Sequence, residues 1–327
     1  MTSGLRQEAG QLSWFAREMA DVATVRRVVA ARRGIQLPDL PRSRRRPGEV
    51  WGVTMVRNEQ DIVVPCLKHL LAQGVDHLLV ADNLSDDDTP ALLEQLAASD
   101  RRIHLARDIE PAYFQAEKMT HLARSAQRAG ADWIIPFDAD EFWFAEEGSL
   151  REFFVRATAD PSTPKTIRAL LHDTIPTETT AVPPTQATYV MDSTWTPPGK
   201  VAYRAHRLAL LTMGNHGVKR VGGLGSGLRI AHLLYRSPEQ IARKARQGAE
   251  AVARANGPDY VGAHWRALDA LDADHIEAVW SQMQRGEPRH DLFYWAIGPM
   301  VRSTPLQWST WDPDNELGEA RPDLVPR

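Results

Sequence analysis

Cysteine is almost absent from this 327-residue chain, with Cys66 the single example. That excludes an internal disulfide framework and fits a reducing compartment, so the expected location is the cytoplasm. Cys66 itself lies in an apolar, helix-like pattern and reads as a small core residue. Lysine is scarce too: Lys68, Lys118, Lys165, Lys200, Lys219 and Lys244 are all of it, and the other basic residues are arginine. No apolar run reaches about 18 residues, so no membrane-spanning helix is expected. The N-terminus lacks the apolar core of a signal peptide. A net charge of −3 and a pI near 6.4 give no overall drive toward nucleic acid. No internal repeat is visible. What remains is a chain long enough to bury one large core or two small ones.

Three regions differ in texture. Residues 1–47 read as an N-terminal helical extension. Trp14, Phe15, Met19, Val22, Val25, Val28 and Val29 recur at roughly helical spacing, and the helix should end near Gly34. Pro38, Pro41 and the basic run Arg42, Arg44, Arg45 and Arg46 follow. Such a helix could pack on the body, dimerise, or lie on the inner face of a membrane as a weak peripheral contact; packing or a homodimer ranks first.

Residues 48–257 alternate strand and helix. Strands are expected at 50–57, 77–81, 102–106 and 132–137. Between them fall helices through Ile62–Leu71, Leu92–Leu96 and 115–129, the last closed by Gly130. Asn58 is a candidate N-cap for the first helix, with Gly74 near its end, and Thr89-Pro90 starts the second. This rhythm predicts a mainly parallel sheet with right-handed crossovers. Residues 161–199 hold many Pro and Thr, so long helices are not expected there. Ile167, Ala169 and Leu171 suggest a strand before Asp173, with further strand-like segments at 200–211 and 228–234. Ser237-Pro238-Glu239 opens a helix reaching about Asn256, before Gly257. Residues 258–327 read as a C-terminal helical extension packed on the core, with a helix near 273–285 and a tail carrying Trp295, Trp308 and Trp311.

The most informative stretch is Asp132 to Phe142. An apolar run ends in Asp138, Asp140 and Glu141, three carboxylates within four residues. Strand tips of open α/β sheets are where ligands bind. Clustered carboxylates repel unless a cation or proton relieves them, and their hard oxygens suit Mg2+ or Mn2+. The same triplet recurs at Asp272-Ala273-Asp274, ahead of a helical pattern, where it should merely cap a helix. Position after a buried strand carries the signal, and the triplet alone does not.

Met55-Val56-Arg57-Asn58-Glu59, Val80 to Thr89 with its D-N-x-S-x-D-x-T turn, and Trp133 to Phe142 with D-x-D-E-F resemble, in order and spacing, the glycosyltransferase family 2-like proteins of GT-A fold. Gly199 to Arg204, Gly214-Asn215-His216 and Ile230 to Ser237 extend the likeness, which covers roughly 50–250. The resemblance implies an α/β, Rossmann-like GT-A domain with helices added at both ends. It implies an enzyme that moves a sugar from a nucleotide-sugar donor, with UDP expected, to an acceptor hydroxyl with inversion. Thr54, Met55, Arg57 and Asn58 would line the base pocket, and Asp82 would bind the uracil or its ribose. Asp138, Ala139 and Asp140 would face the diphosphate. Asp140 is the expected direct metal ligand, Asp138 a second through water or on the ribose, and His232 the third. Lys118, Lys200 and Arg236 are candidate phosphate neutralisers, whereas Asp86, Asp87 and Asp88 read as turn and cap residues.

The catalytic base is less determined. Relatives carry an E-D pair well after the metal motif, and none stands there in this chain. Asp173 is the first choice, with Glu141, Asp192 and His216 open, and Glu141 could instead support the metal site from behind. The 161–199 segment and Gly222–Gly227 are candidate lids, and the latter does not match G-x-G-x-x-G. Trp195, Trp308 and Trp311 could stack on an acceptor, though core packing is the better expectation. Two other readings compete. One is a nucleotidyltransferase, which would normally show a glycine-rich phosphate loop after the first strand. The other is a catalytically impaired GT-A module that binds a sugar nucleotide or glycan.

Overall fold

The computed structural model describes residues 2–41, 44–177, 183–255, 262–289, 294 and 297–318. Trp295, Arg42, Asn256 and Gly257 of the expectations above lie outside them. Two helices open the chain, α1 (Thr2–Glu18) and α2 (Val22–Gly34). One helix was expected here, but Asp21 accepts from the Ala23 and Thr24 amides and starts a fresh one. A short strand β1 (Ile35–Gln36) follows.

The centre is the parallel set β2 (Val50–Val56), β3 (His77–Asp82), β4 (Ile103–Asp108) and β5 (Trp133–Pro136), in the spatial order β4-β3-β2-β5. These strands are apolar on both faces because helices cover both. Val50, Leu78, Val80 and Ile135 pack with α3 (Val63–Ala72) and α4 (Thr89–Ser99). Trp51, Val53, Leu79 and Ile134 pack with Met119, Leu122, Ala123 and Ala126 of α5 (Gln115–Ala129). Cys66 is buried in α3, and Gly130 closes α5 at φ 120°. β1 adds an antiparallel edge to β4, so the N-terminal segment joins the main sheet.

Beyond β5 the sheet turns mixed. β6 (Glu141–Ala145) starts directly after the acidic turn and was not anticipated as a strand. After α6 (Leu150–Ala159) come β7 (Thr166–Pro176), β8 (Tyr189–Asp192), β9 (Thr196–Arg204), the small hairpin of β10 (Leu210–Leu211) and β11 (Val218–Lys219), and β12 (Leu224–His232). The order continues β5-β9-β7-β12-β6. The described part of the Pro/Thr-rich segment thus holds no long helix, as expected, and is mostly β7, β8 and the start of β9. α7 (Pro238–Ala255), capped by Ser237, packs Ile241, Ala245 and Val252 inward. α8 (Ala263–Asp269), α9 (Ala273–Gln284) and β13 (Met300–Ser303) complete the chain, with β13 adding to β8. Asp272 caps α9 by accepting from the His275 amide, so the second acidic triplet has the structural role expected of it.

Register places the functional row. Glu141 on β6 pairs with His232 on β12, and His232 pairs with Asp173 on β7. Neighbouring His172 points to the opposite face. Its Nδ1 lies 2.9 Å from the Asp192 carbonyl and its Nε2 3.2 Å from an Arg229 nitrogen. A guanidinium only donates, so Nε2 must accept and the ring must be neutral. Burial brings its pKa down to about 3. The unfolded chain therefore binds the extra proton between about pH 6.5 and 3, and folding stability falls as pH drops through that window. His172→Gln keeps one donor and one acceptor but cannot titrate. Between pH 7 and 5 the native chain should lose about 2 kcal/mol more stability than this variant. Urea unfolding at both pH values checks it, and parallel losses would refute the assignment.

Candidate functional site

A cavity of about 650 Å3 opens where the C-terminal ends of β2 and β3 meet the β5–β6 turn. Its first wall is Met55, Val56, Arg57, Asn58 and Glu59. Asn58 adopts φ 55°, a left-handed conformation that Asn tolerates. It does not cap α3, whose N-cap Ile62 makes no side-chain bond. Instead Asn58 Nδ2 donates to Asp86 at 2.5 Å, and its Oδ1 accepts from the Asp86 amide at 2.9 Å. Thr89 Oγ1 accepts from the Glu59 amide at 2.9 Å. The first two sequence motifs are therefore laced into one rigid rim.

Behind this rim several buried polar atoms have no partner: Thr54 Oγ1, Asp82 Oδ1, and Nε and NH1 of Arg57. Buried polar atoms are normally paired, so this concentration points to missing ligand groups. Arg57 lines the cavity, whereas Thr54 and Asp82 lie outside its lining. Asn83 lines it, held by Asp108 at 2.9 Å and the Glu110 carbonyl at 2.9 Å. Lys118 is not on the wall. It is fully buried, 2.7 Å from Asp108, and donates to the Glu110 carbonyl at 2.5 Å. That makes it a pillar under the second turn rather than a group facing a phosphate.

The acidic turn splits its charges. Asp138 accepts from Lys200 Nζ at 2.8 Å, Asn215 Nδ2 at 3.2 Å and Gln115 Nε2 at 3.5 Å. Glu141 lies beneath, fully buried, accepting from the Asp138 amide and Trp143 Nε1, with Lys200 2.7 Å away. Burial, with Asp138 alongside, pushes its carboxyl up to about 7 against the pull of Lys200. Lys200 is thus the counterion of two carboxylates. Arg236 is likewise spent, gripping Glu59 and Asp61 and standing 3.8 Å from Asp140.

Asp140 faces the cavity between Lys244 Nζ, at 2.5 Å, and His232 Nε2, at 4.0 Å. Burial opposes its charge, but Lys244, His232 and Arg236 outweigh it and hold the carboxyl well below the usual range. His232 Nδ1 meets Asp173 at 2.9 Å, and Thr196 Oγ1 donates to the other Asp173 oxygen at 3.1 Å. Burial works against a charge on His232, but Asp173 and then Asp140 raise its pKa. With both oxygens occupied, Asp173 orients His232 and leaves Nε2 aimed at Asp140. Among the described residues no three His, Cys, Asp or Glu side chains converge as a metal cage. Asp140 and His232 could share a cation whose other ligands are phosphate oxygens or water, the habit of Mg2+. Asp138, turned to Lys200, does not join them.

His216 also lines the cavity, its Nδ1 2.7 Å from the Gly199 carbonyl. Burial brings its pKa down to about 4, so it is neutral with Nε2 free to accept. Asp192 is elsewhere, anchoring the Ile297 and Gly298 amides. Gly225 and Gly227 line a separate surface hollow, and Trp195 and Trp308 are core residues. Trp311 packs against Phe144 and His172.

One wall was missed entirely. Gln240, Arg243, Lys244, Gln247 and Ala251 recur along one face of α7 and line the cavity. Trp265 of α8 lies so close to Gly248 that an added Cβ would sit 2.2 Å from the ring. It meets Tyr113 edge-on, closing the roof. The only trace in sequence was the 3–4 spacing of polar residues, which reads equally as a solvated face.

Residues 53–160 match the sequence model of Glycosyl transferase family 2. That segment, about a third of the chain, is similar to Glycosyl transferase family 2. The matched segment runs from β2 through α6 and takes in both turns and the acidic motif. No curated protein matches the chain at a significant level. Among solved structures, the mannosyltransferase PcManGT from Pyrobaculum calidifontis, in complex with GDP-Man and Mn2+, is 15% identical. That match covers 84% of this chain and 85% of that one, with a TM-score of 0.38. TarS 1–349 from S. aureus is 12% identical over 72% of this chain and 73% of that one, with a TM-score of 0.35.

Proposed function

We propose that this protein is a glycosyltransferase that moves a sugar from a nucleotide-sugar donor, a UDP-sugar by preference, to an acceptor hydroxyl with inversion. The observation that carries the reading is a single cavity. It joins the unpaired Arg57 nitrogens just past β2, and Asn83 just past β3, to Asp140 and His232. The base and ribose would lie against Met55, Arg57, Asn58 and Asn83, with the diphosphate over the acidic turn. Arg57 would satisfy its open nitrogens on donor oxygens. Lys244 and Arg243 would meet the diphosphate from α7.

The residues fit a divalent cation, Mn2+ or Mg2+, on Asp140 Oδ1 and His232 Nε2, and Asp173 would fix the His232 tautomer. When bound, such an ion neutralises the charge that builds on the leaving diphosphate. Asp138 would stay on Lys200 and Asn215, setting the shape of the turn. Of the four base candidates, only His216 combines a cavity position with an unpaired acceptor nitrogen, so it would take the acceptor proton. The nucleotidyltransferase reading is disfavoured because the rim after β2 is built by Asn58 and Asp86 side chains, with no glycine-rich phosphate loop.

Thermal unfolding in the presence of UDP, GDP and TDP, each with and without Mn2+, tests the donor site. A shift of several degrees with one nucleotide plus metal is expected, about 4 °C or more for 100-fold saturation. Unchanged melting with all three would remove the proposal.

A further inference from the structure

We infer that α1 and α2 form a docking face for an anionic lipid surface. A surface helix normally turns its apolar stripe inward. In α1 the polar side is inward, while α2 turns only the small residues Ala31 and Gly34 fully inward. Gln11 bonds the Leu208 and Lys219 carbonyls and the Val221 amide. Glu8 meets His206 at 2.9 Å, Glu18 grips Lys219, and Asp21 caps its own helix. Phe15 packs under the Arg124 guanidinium. Outward stand Leu5 at 73% exposure, Leu12 at 57% and Val22 at 65%, with Val25 and Val29 also exposed. Leu5 and Leu12 are seven apart, and Val22, Val25 and Val29 follow helical spacing, so each set shares a face.

Charge identifies the occupant. Arg6, Arg17, Arg26, Arg32 and Arg33 are exposed on the same two helices, and among the described residues none has an ion-pair partner. Every acid of these helices is engaged with the body or a cap. What faces out is an apolar ridge flanked by unpaired arginines, while the exposed acids Glu8 and Asp21 are tied to His206 and to the start of α2, and this suits lipid tails beneath anionic headgroups. A second copy fits poorly, because a two-fold contact would set this arginine-rich patch against itself. The arginines of the following linker do not contribute in the same way, since Arg45 holds Asp132 and Arg46 faces Glu49. No described helix is long and apolar enough to cross a membrane, so the contact lies in the interface.

Co-sedimentation of the full chain with vesicles tests this. Vesicles of phosphatidylcholine with about one-third phosphatidylglycerol should bind it, and pure phosphatidylcholine should not. Raised salt should release it. Leu12→Ser/Val22→Ser/Val25→Ser and, separately, Arg26→Gln/Arg33→Gln should each cut the bound fraction at least about fivefold. Both variants change exposed side chains, so unchanged melting temperatures should accompany the loss. Equal binding to neutral vesicles, no binding by the native chain, or a dimer in solution that the serine variant dissolves would each overturn the inference.

Discussion

Replacing Lys200 by methionine is expected to destabilise the fold by about 3–5 kcal/mol, the usual cost of stranding buried charge. Lys200 is nearly buried, with Nζ 2.8 Å from Asp138 and 2.7 Å from Glu141. Burial disfavours its charge, but Asp138 and Glu141 outweigh that and hold the ammonium protonated. Without it, Glu141 remains under the turn with a like charge beside it. Methionine preserves the volume, so the loss reports charge and not a cavity. The double variant Lys200→Met/Glu141→Gln should recover much of the deficit, because removing both partners of a buried pair is far milder than removing one. Urea unfolding measures both. A single-variant loss below about 1 kcal/mol would mean the turn is solvated like a surface pair.

That role was illegible in the sequence, where Lys200 reads as a cation near phosphate or as a plain surface charge. The parallel core was legible because each strand, turn and helix start has a local signature: apolar runs at 50–56 and 133–136, Thr89-Pro90, Gly130. Pairings across the chain have no such signature. Asn58 looked like a helix cap because a cap and a loop-lacing Asn are written alike, and only proximity to Asp86 separates them. β6 was hidden inside the motif itself, since Glu141 to Ala145 reads as the tail of an acidic turn. The α7 wall was hidden for the opposite reason. Polar residues on a helix signal solvent until the tertiary fold swings them over Asp140.

The same geometry recasts the candidates that were recognised. Asp173 and His232 were expected in separate roles, one as base and one as ligand. Their 2.9 Å contact makes them one unit on the cavity wall, in which the carboxylate, held also by Thr196, fixes the ring. Asp138 and Asp140, expected to act together, belong to different networks, one ending on Lys200 and the other on Lys244.

That separation makes Asp140→Ala the most diagnostic change at the site. The variant should lose Mn2+-dependent stabilisation by nucleotide, and sugar transfer should fall by about 100- to 1000-fold, the range seen when one charge-stabilising group is removed. Asp138→Ala should damage the turn through Lys200 and Glu141 first, lowering stability without ligand. The discriminating measurement is the metal-dependent part of the melting shift, compared with the melting point of the bare protein. Asp274→Ala is the control, because Asp274 is exposed in the first turn of α9 beside the capping Asp272. It should leave the metal-dependent shift intact. If Asp140→Ala and Asp274→Ala have equal effects, the position of the first triplet after a buried strand confers nothing on it. If Asp140→Ala keeps the full metal response, the cation belongs elsewhere, and Lys244 is the permanent partner of Asp140.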